Sequence, residues 1–142
     1  MILVDANLLI YATNIDAPLH RKAKAWLESV LSSGETVGFS WNVLLAFLRL
    51  TTKPGLFRRP VPLDIASALV AAWLDQPPAI VVHPGARHLR ILRELLLSVG
   101  SAGNLTFDAH LAALAIEHAA ELCSSDNDFG RFQGLQWRNP LS

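Results

Sequence analysis

The chain of 142 residues holds a single cysteine, Cys123, so no intramolecular disulfide framework supports it. A lone thiol suits a reducing cytoplasm, the expected compartment. Long apolar runs are missing as well. The longest stretches without a formal charge, Thr36 to Leu48 and Leu95 to Phe107, are about 13 residues each, short of the roughly 20 that a membrane-spanning helix requires. No basic segment opens the chain: Met1 leads straight into a strand-like run and then an acid, so no signal peptide is expected. Net charge is absent too, since twelve Lys and Arg offset twelve Asp and Glu. That excludes a protein that holds nucleic acid through bulk electrostatics, while leaving room for local contacts. Lysine is scarce: nine of the twelve cations are arginine, the better bidentate phosphate ligand. They gather as Lys53, Arg58 and Arg59 in one loop, as Arg87, Arg90 and Arg93 on one helix, and as Arg131 and Arg138 near the end. Each group alone also fits a solvated helix face or loop end.

What the chain does have is apolar mass, 51% of its residues, enough for a compact globule formed by residues 1–142 as a single domain. Ile2 to Val4 is a short buried strand, and Ala6 to Thr13 a turn or two of helix. Pro18 marks the first turn of a helix carrying Leu19, Ala23, Trp26, Leu27 and Val30 on one face and stopping near Gly34. Val37 to Ser40 reads as a strand, and Trp41 to Thr52 as a helix apolar nearly all round. Three prolines and a glycine make Lys53 to Pro62 a loop. Asp64 to Leu74 is a helix, Ala79 to His83 a strand, and the segment after Pro84 and Gly85 a helix with Leu89, Leu92, Leu96 and Val99 in register. A connection over Gly100 to Asn104 precedes a helix from Leu105 to Ala120, a strand at Leu122 to Ser124, a turn at Phe129 to Phe132 and an edge strand at Leu135 to Trp137. Strands alternating with helices predict a parallel sheet covered on both faces, joined by right-handed crossovers. Ligands of such sheets sit beyond the carboxyl ends of the strands.

Asp5 follows the first strand directly, and Asp126 and Asp128 follow the last central one, so topology sends three carboxylates to one rim. Asp108 opens an Ala-rich helix whose Ala112 and Ala115 share its face, small enough to bring that helix close to the sheet. Each acid alone has a plain structural account: Asp5 as a helix cap, Asp108 as a partner of the helix dipole, Asp126-Asn127-Asp128 as turn chemistry. Together they are carboxylates that repel unless protons or a hard cation neutralise them. An oxygen-rich site for Mg²⁺ or Mn²⁺ accounts for three segments converging better than three unrelated caps do.

Three stretches carry a family resemblance. Ile2-Leu3-Val4-Asp5-Ala6-Asn7-Leu8-Leu9-Ile10-Tyr11-Ala12, Asp108-Ala109-His110-Leu111-Ala112-Ala113-Leu114-Ala115 and Ser125-Asp126-Asn127-Asp128-Phe129-Gly130-Arg131-Phe132 resemble PIN-domain ribonucleases, and more narrowly VapC toxins of type II toxin–antitoxin pairs. The likeness extends through Phe47-Leu48-Arg49 and the ending Trp137-Arg138-Asn139-Pro140-Leu141. It implies a PIN-like three-layer α/β/α sandwich with a central, mainly parallel sheet of four or five strands. It also implies hydrolysis of RNA phosphodiester bonds with Mg²⁺ (or Mn²⁺ in its place), a small VapB-type antitoxin as partner, and a homodimer. One position departs from the family: the glutamate usual three residues before the helix arginine is Ala46 here, ahead of Arg49, and no acid occurs between Glu35 and Asp64. One metal rather than two is one outcome; completion of the site by Asp126 and Asp128 is another.

The expected site therefore has Asp5, Asp108 and Asp126 as metal ligands, with Asp128 coordinating directly or through water. Asn7, Ser40, Asn42 and Arg131 are expected to position a water, a carboxylate or the substrate, against local cap or turn bonding as the alternative for the first three. Trp26, Trp41, Trp73 and Trp137 are core or interface aromatics. His110 and His118 are off zinc spacing, and Cys123 is inert. Helices 41–52 and 64–74 hold more apolar surface than one small core covers, which a homodimer face or an antitoxin groove would absorb. Two rivals stand. A catalytically weak or inactive PIN-fold module that binds RNA or protein fits the loss at Ala46. A phosphohydrolase with a nucleophilic aspartate would want an acid where Asn7 stands and a downstream lysine, for which the chain offers only Lys22, Lys24 and Lys53.

Overall fold

The structure is a computed structural model that describes residues 1–100 and 103–142. Five short strands form one sheet: β1 (Ile2–Val4), β2 (Val37–Phe39), β3 (Ala79–Val81), β4 (Glu121–Cys123) and β5 (Trp137–Arg138). Their order is β3-β2-β1-β4-β5, and every pairing is parallel. β1 and β2 are buried throughout, and β4 at Leu122 and Cys123, because apolar runs without alternation are what a sheet covered on both faces demands. Six helices cover it: α1 (Ala6–Thr13), α2 (His20–Leu31), α3 (Trp41–Thr52), α4 (Leu63–Leu74), α5 (His88–Val99) and α6 (Thr106–Glu117). No helix among the described residues is long and apolar enough to cross a membrane.

The order of strands positions the site. From β1 the chain moves outward through β2 and β3, then returns to the other side of β1 with β4. The direction of winding thus reverses between β1 and β4, and a crevice opens there beyond the carboxyl ends of the strands. Asp5 and Asp126 follow those two strands.

Several boundaries differ from the expectations. Ser40 leaves β2 to become the N-cap of α3, its Oγ accepting the Val43 N–H at 3.2 Å. The strand expected over 79–83 ends at Val81, and α2 begins at His20, after Pro18. The last helix stops at Glu117 rather than Ala120, because Ala119 takes a left-handed φ of 52° that a helix cannot contain. β4 begins at Glu121 and releases Ser124. The connection expected over 100–104 is interrupted by residues 101–102, which lie outside the described residues; Gly103–Leu105 forms a 3-10 turn. At the other end of α6, the Glu117 carboxylate accepts the Gly85 and Arg87 N–H groups at 2.7 and 2.9 Å. This ties the start of α5 to the end of α6, so the two run antiparallel and α6 starts again at the rim that holds Asp5.

Phe39, Phe47 and Phe129 are the largest wholly buried side chains, and Phe47 meets Trp73 edge-on at 4.9 Å, locking α3 to α4. Gly38 is the tightest point of the sheet. A Cβ there would stand 2.7 Å from Val82 Cγ2, 3.2 Å from Leu3 Cδ1 and 3.3 Å from the Ile2 carbonyl oxygen. Gly38→Val should lower stability by about 1–3 kcal/mol through overpacking, read as a lower urea midpoint. An unchanged midpoint would show that β2 and β1 separate easily.

Candidate functional site

Asp5 is at once a cap and a member of the acidic rim. Its Oδ1 accepts the Ala6 N–H at 2.7 Å, which starts α1 immediately after β1. Its Oδ2 accepts the Ser124 hydroxyl at 2.7 Å. Ser124 is wholly buried and links the site: its Oγ also accepts from Asn7 Nδ2 at 3.2 Å and from the Asp126 N–H at 3.0 Å. Asn7 Oδ1 in turn accepts the Ser125 N–H at 3.3 Å, and Trp137 Nε1 donates to the Ser124 carbonyl at 3.1 Å. The residue expected at the end of a strand is therefore the hydroxyl that joins β1 to β4 at the rim. Sequence reading missed it. Its one signal was a polar residue directly between a buried strand and the Asp126 turn.

Asp126 caps the short turn Asn127–Arg131, accepting the Asp128 N–H at 2.9 Å. Asp128 lies on the exposed side of that turn and pairs with Arg131 at 3.3 Å; Arg131 Nε also donates to the Asp128 carbonyl at 3.2 Å. Arg131 thus steadies the outermost acid. Asp108 stands half-buried in the first turn of α6.

Electrostatics tie these segments together. Burial pushes the Asp108 carboxyl up to about 6, helped by the negative charges of Asp126, Asp5 and Asp128 and opposed by Arg131. Burial also raises Asp5 above its ordinary 3.8, against the hydrogen bonds of Ser124 and Ala6, with Asp126 adding to the rise. Each of the two feels acids from the other segments, so the four share one field.

No three His, Cys, Asp or Glu side chains among the described residues already converge at metal-ligand spacing. That arrangement still suits a hard cation, because Mg²⁺ keeps several waters and is held by one or two carboxylates rather than by a closed protein cage. The donor set is all oxygen, mutually repelling and short of positive charge, as such an ion requires. Asp5 and Asp108, the two whose pKa rises, are the side chains with most to gain from it.

Other candidates fall away from the rim network. Ser40 is 2% exposed and its hydroxyl accepts the α3 cap bond. Asn42 is half-buried on the first turn of α3 and its side chain makes no hydrogen bond with the described residues. Ala46 lies half-buried on the same helix. His110 Nδ1 meets His88 Nε2 at 2.9 Å, which joins α6 to α5, and His118 Nε2 meets the His83 carbonyl at 2.8 Å, which ties the segment after β3 to the end of α6. Cys123 is buried and its thiol is pushed up to about 11 by that burial; it is inert at neutral pH. Trp73 is a core residue, whereas Trp41 is 47% exposed.

The sequence matches the PIN domain model over residues 2–135. It is 51% identical to ribonuclease VapC37 of Mycobacterium tuberculosis over 140 residues, covering 99% of this chain and 97% of the relative. Identity to ribonuclease VapC33 of the same organism is 42% over 141 residues, covering 99% of each. Among solved structures, VapBC2 of Rickettsia felis bound to a promoter DNA fragment superposes with a TM-score of 0.72 at 20% identity, over 98% of both chains. VapC20 of M. tuberculosis, described as a sarcin–ricin loop cleaving toxin, superposes with a TM-score of 0.69 at 22% identity, over 96% of this chain and 99% of that one. These likenesses carry the fold, and the end-to-end sequence matches carry the kinship: the chain belongs to the PIN-domain family, among the VapC ribonucleases.

Proposed function

We propose that this protein is a divalent-metal-dependent endoribonuclease and the toxin of a toxin–antitoxin pair, held in check by a small antitoxin protein. The observation that carries the reading is the shared field of Asp5, Asp108, Asp126 and Asp128 at the switch between β1 and β4. Asp5 and Asp108 would hold Mg²⁺ or Mn²⁺, with Asp126 and Asp128 reaching it directly or through water. When bound, the ion supplies Lewis-acid chemistry to a phosphodiester and lowers the pKa of water at the site. The chain's own residues do the rest. Ser124 and the Ala6 N–H keep the Asp5 carboxylate turned and oppose the rise that burial imposes on its pKa. Asn7, fixed through both ends of its amide, holds the Asp126 turn against β1. Arg131 restrains Asp128, and the free side-chain amide of Asn42 is the contact assigned to substrate.

The relatives named ribonucleases and the neighbour solved as VapBC2 support this assignment. So does a mostly apolar groove of about 640 Å³ between α2 and α4, lined by Leu27, Leu31, Ile65, Leu69 and Trp73, the form an amphipathic partner segment fills. Trp41 and Leu45, exposed one turn apart on α3, are the face assigned to a homodimer. The reaction belongs in the cytoplasm, where the single buried Cys123 needs no oxidising surroundings. A second reading, an inactive module that binds RNA or protein, is favoured by Ala46 alone.

Purified protein should cleave RNA with Mg²⁺ or Mn²⁺ and stop with EDTA, followed on denaturing gels. Cleavage undiminished by EDTA would remove the metal. Tight RNA binding with no cleavage under any divalent ion would favour the inactive module.

A further inference from the structure

The cations of the α3–α4 connection have no role in the site just described. Between Glu35 and Asp64 there is no acid, while Arg49, Lys53, Arg58 and Arg59 lie in that stretch of an otherwise neutral chain. None of the four forms an ion pair among the described residues. Arg49 lies on α3, and the loop that carries Lys53, Arg58 and Arg59 is held in place. Phe57 is 9% exposed and sunk in the core, the Val61 N–H donates to the Thr51 carbonyl at 2.8 Å, and Pro54, Pro60 and Pro62 restrict the backbone. Arg58 and Arg59 follow the buried Phe57 and stand exposed on this fixed base.

There they line a cleft of about 440 Å³ whose other wall is the end of α1, with Thr13, Asn14 and Asp16. Among the described residues Asp16 is the cleft's one acid and neither arginine pairs with it, so two guanidinium groups face a single carboxylate and leave a positive balance. α1 starts directly after Asp5 and ends at Thr13. The cleft therefore lies one short helix, about 12 Å at 1.5 Å per residue, from the first catalytic acid. A few nucleotides of single strand cover that distance.

We propose that Arg58 and Arg59, across the cleft from Thr13 and Asn14, bind backbone phosphates of the RNA strand flanking the scissile bond. The proposal rests on the ribonuclease reading. Guanidinium forks match phosphate oxygens two at a time. Among the described residues no exposed aromatic ring lines the cleft, so it offers charge without a stacking surface. This subsite fixes affinity and register rather than base choice. The other class of occupant, an acidic segment of a partner protein, would reach the cleft from the adjoining groove between α2 and α4, with which it shares Thr13, Ile15 and Val61; the alignment with Asp5 along α1 favours the RNA strand.

The test is anisotropy of a fluorescein-labelled oligouridylate with the intact protein in EDTA, over a range of salt. Arg58→Ala/Arg59→Ala is compared with the charge-matched Arg90→Ala/Arg93→Ala on α5. Loss of two phosphate contacts should weaken binding at least about tenfold and reduce the slope of log affinity against log salt by about 1.4. The α5 variant should keep the wild-type slope. Equal losses in both variants would reduce the effect to bulk charge and overturn the subsite. So would an unchanged slope in the Arg58/Arg59 variant, including the case where it loses only a protein partner. Because binding is read without metal, wild-type protein that binds RNA through these arginines yet never cleaves it would sink the nuclease reading and leave the subsite standing.

Discussion

Asp108→Asn should abolish RNA cleavage, by about 10³-fold or more, while making the metal-free protein more stable at neutral pH. The two effects have one cause. Asp108 has a carboxyl pKa of about 6 in the fold against 3.8 as the ordinary value. The folded state therefore holds that proton more tightly than the unfolded chain does. Between about pH 4 and pH 6 the folded protein carries the greater proton load, so stability falls as pH rises through this window. The penalty is fully present above pH 6 and absent below pH 4. The amide of the Asp108→Asn variant has no such proton to lose. Because Asp108 is only half-buried and solvent screens part of the field, the gain for the variant at pH 7.5 should be about 1 kcal/mol, or a melting point higher by about 3 °C. Thermal melts in EDTA from pH 4 to pH 8 read it as two curves that coincide at the acid end and part towards neutrality. Millimolar Mg²⁺ should then reverse the order, raising the wild type and leaving the variant where it was. A variant that melts below the wild type at pH 7.5 in EDTA would show that the acids do not repel. One that cleaves normally would take Asp108 out of the reaction.

Much of this rim could be read before any coordinates. Ile2 to Val4 is apolar without alternation and ends on Asp5, so strand, burial and the direction of the acid followed together. Convergence of Asp5 with Asp126 needed no knowledge of which strands pair, since every parallel strand of one sheet delivers its following residue to the same rim. Asp108 required the extra step that α6 begins at the rim, which the Ala-rich face suggested and the antiparallel pairing with α5 supplies. What was hidden depends on contacts across long sequence distances. Ser124 reads as an ordinary strand residue until Asp5 and Asn7, more than a hundred positions earlier, are set beside it. His88 and His110 likewise become a pair only through packing of two helices. The end of α6 is not legible in the sequence, because nothing in the alanine at 119 announces a left-handed turn where glycine is the usual choice. Ser40 was placed one residue too far into β2, the common fate of a cap, whose backbone is extended like the strand before it.

Ser124→Ala should cost both stability and rate, and its pH dependence separates a positioning role from a merely structural one. The hydroxyl is wholly buried, donates to Asp5 and accepts from Asn7 and Asp126. Its loss strands three polar groups in the crevice, and a destabilisation of about 2 kcal/mol follows from leaving such groups unpaired. The bond to Asp5 also lowers that carboxyl's pKa against the rise caused by burial. Without it the pKa climbs further, so a smaller fraction of Asp5 is ionised at neutral pH and the ion it would hold is bound less tightly. Removing such an outer partner of a metal-binding carboxylate typically lowers affinity or activity about 10- to 100-fold. The acid limb of kcat/KM against pH should move to higher pH, and part of the loss should be regained in alkaline buffer. Raising Mg²⁺ should recover activity for the same reason. If the variant is slower by one constant factor at every pH and every Mg²⁺ concentration, Ser124 only fills space, and the ionisation of Asp5 is set by burial, the Ala6 N–H and Asp126.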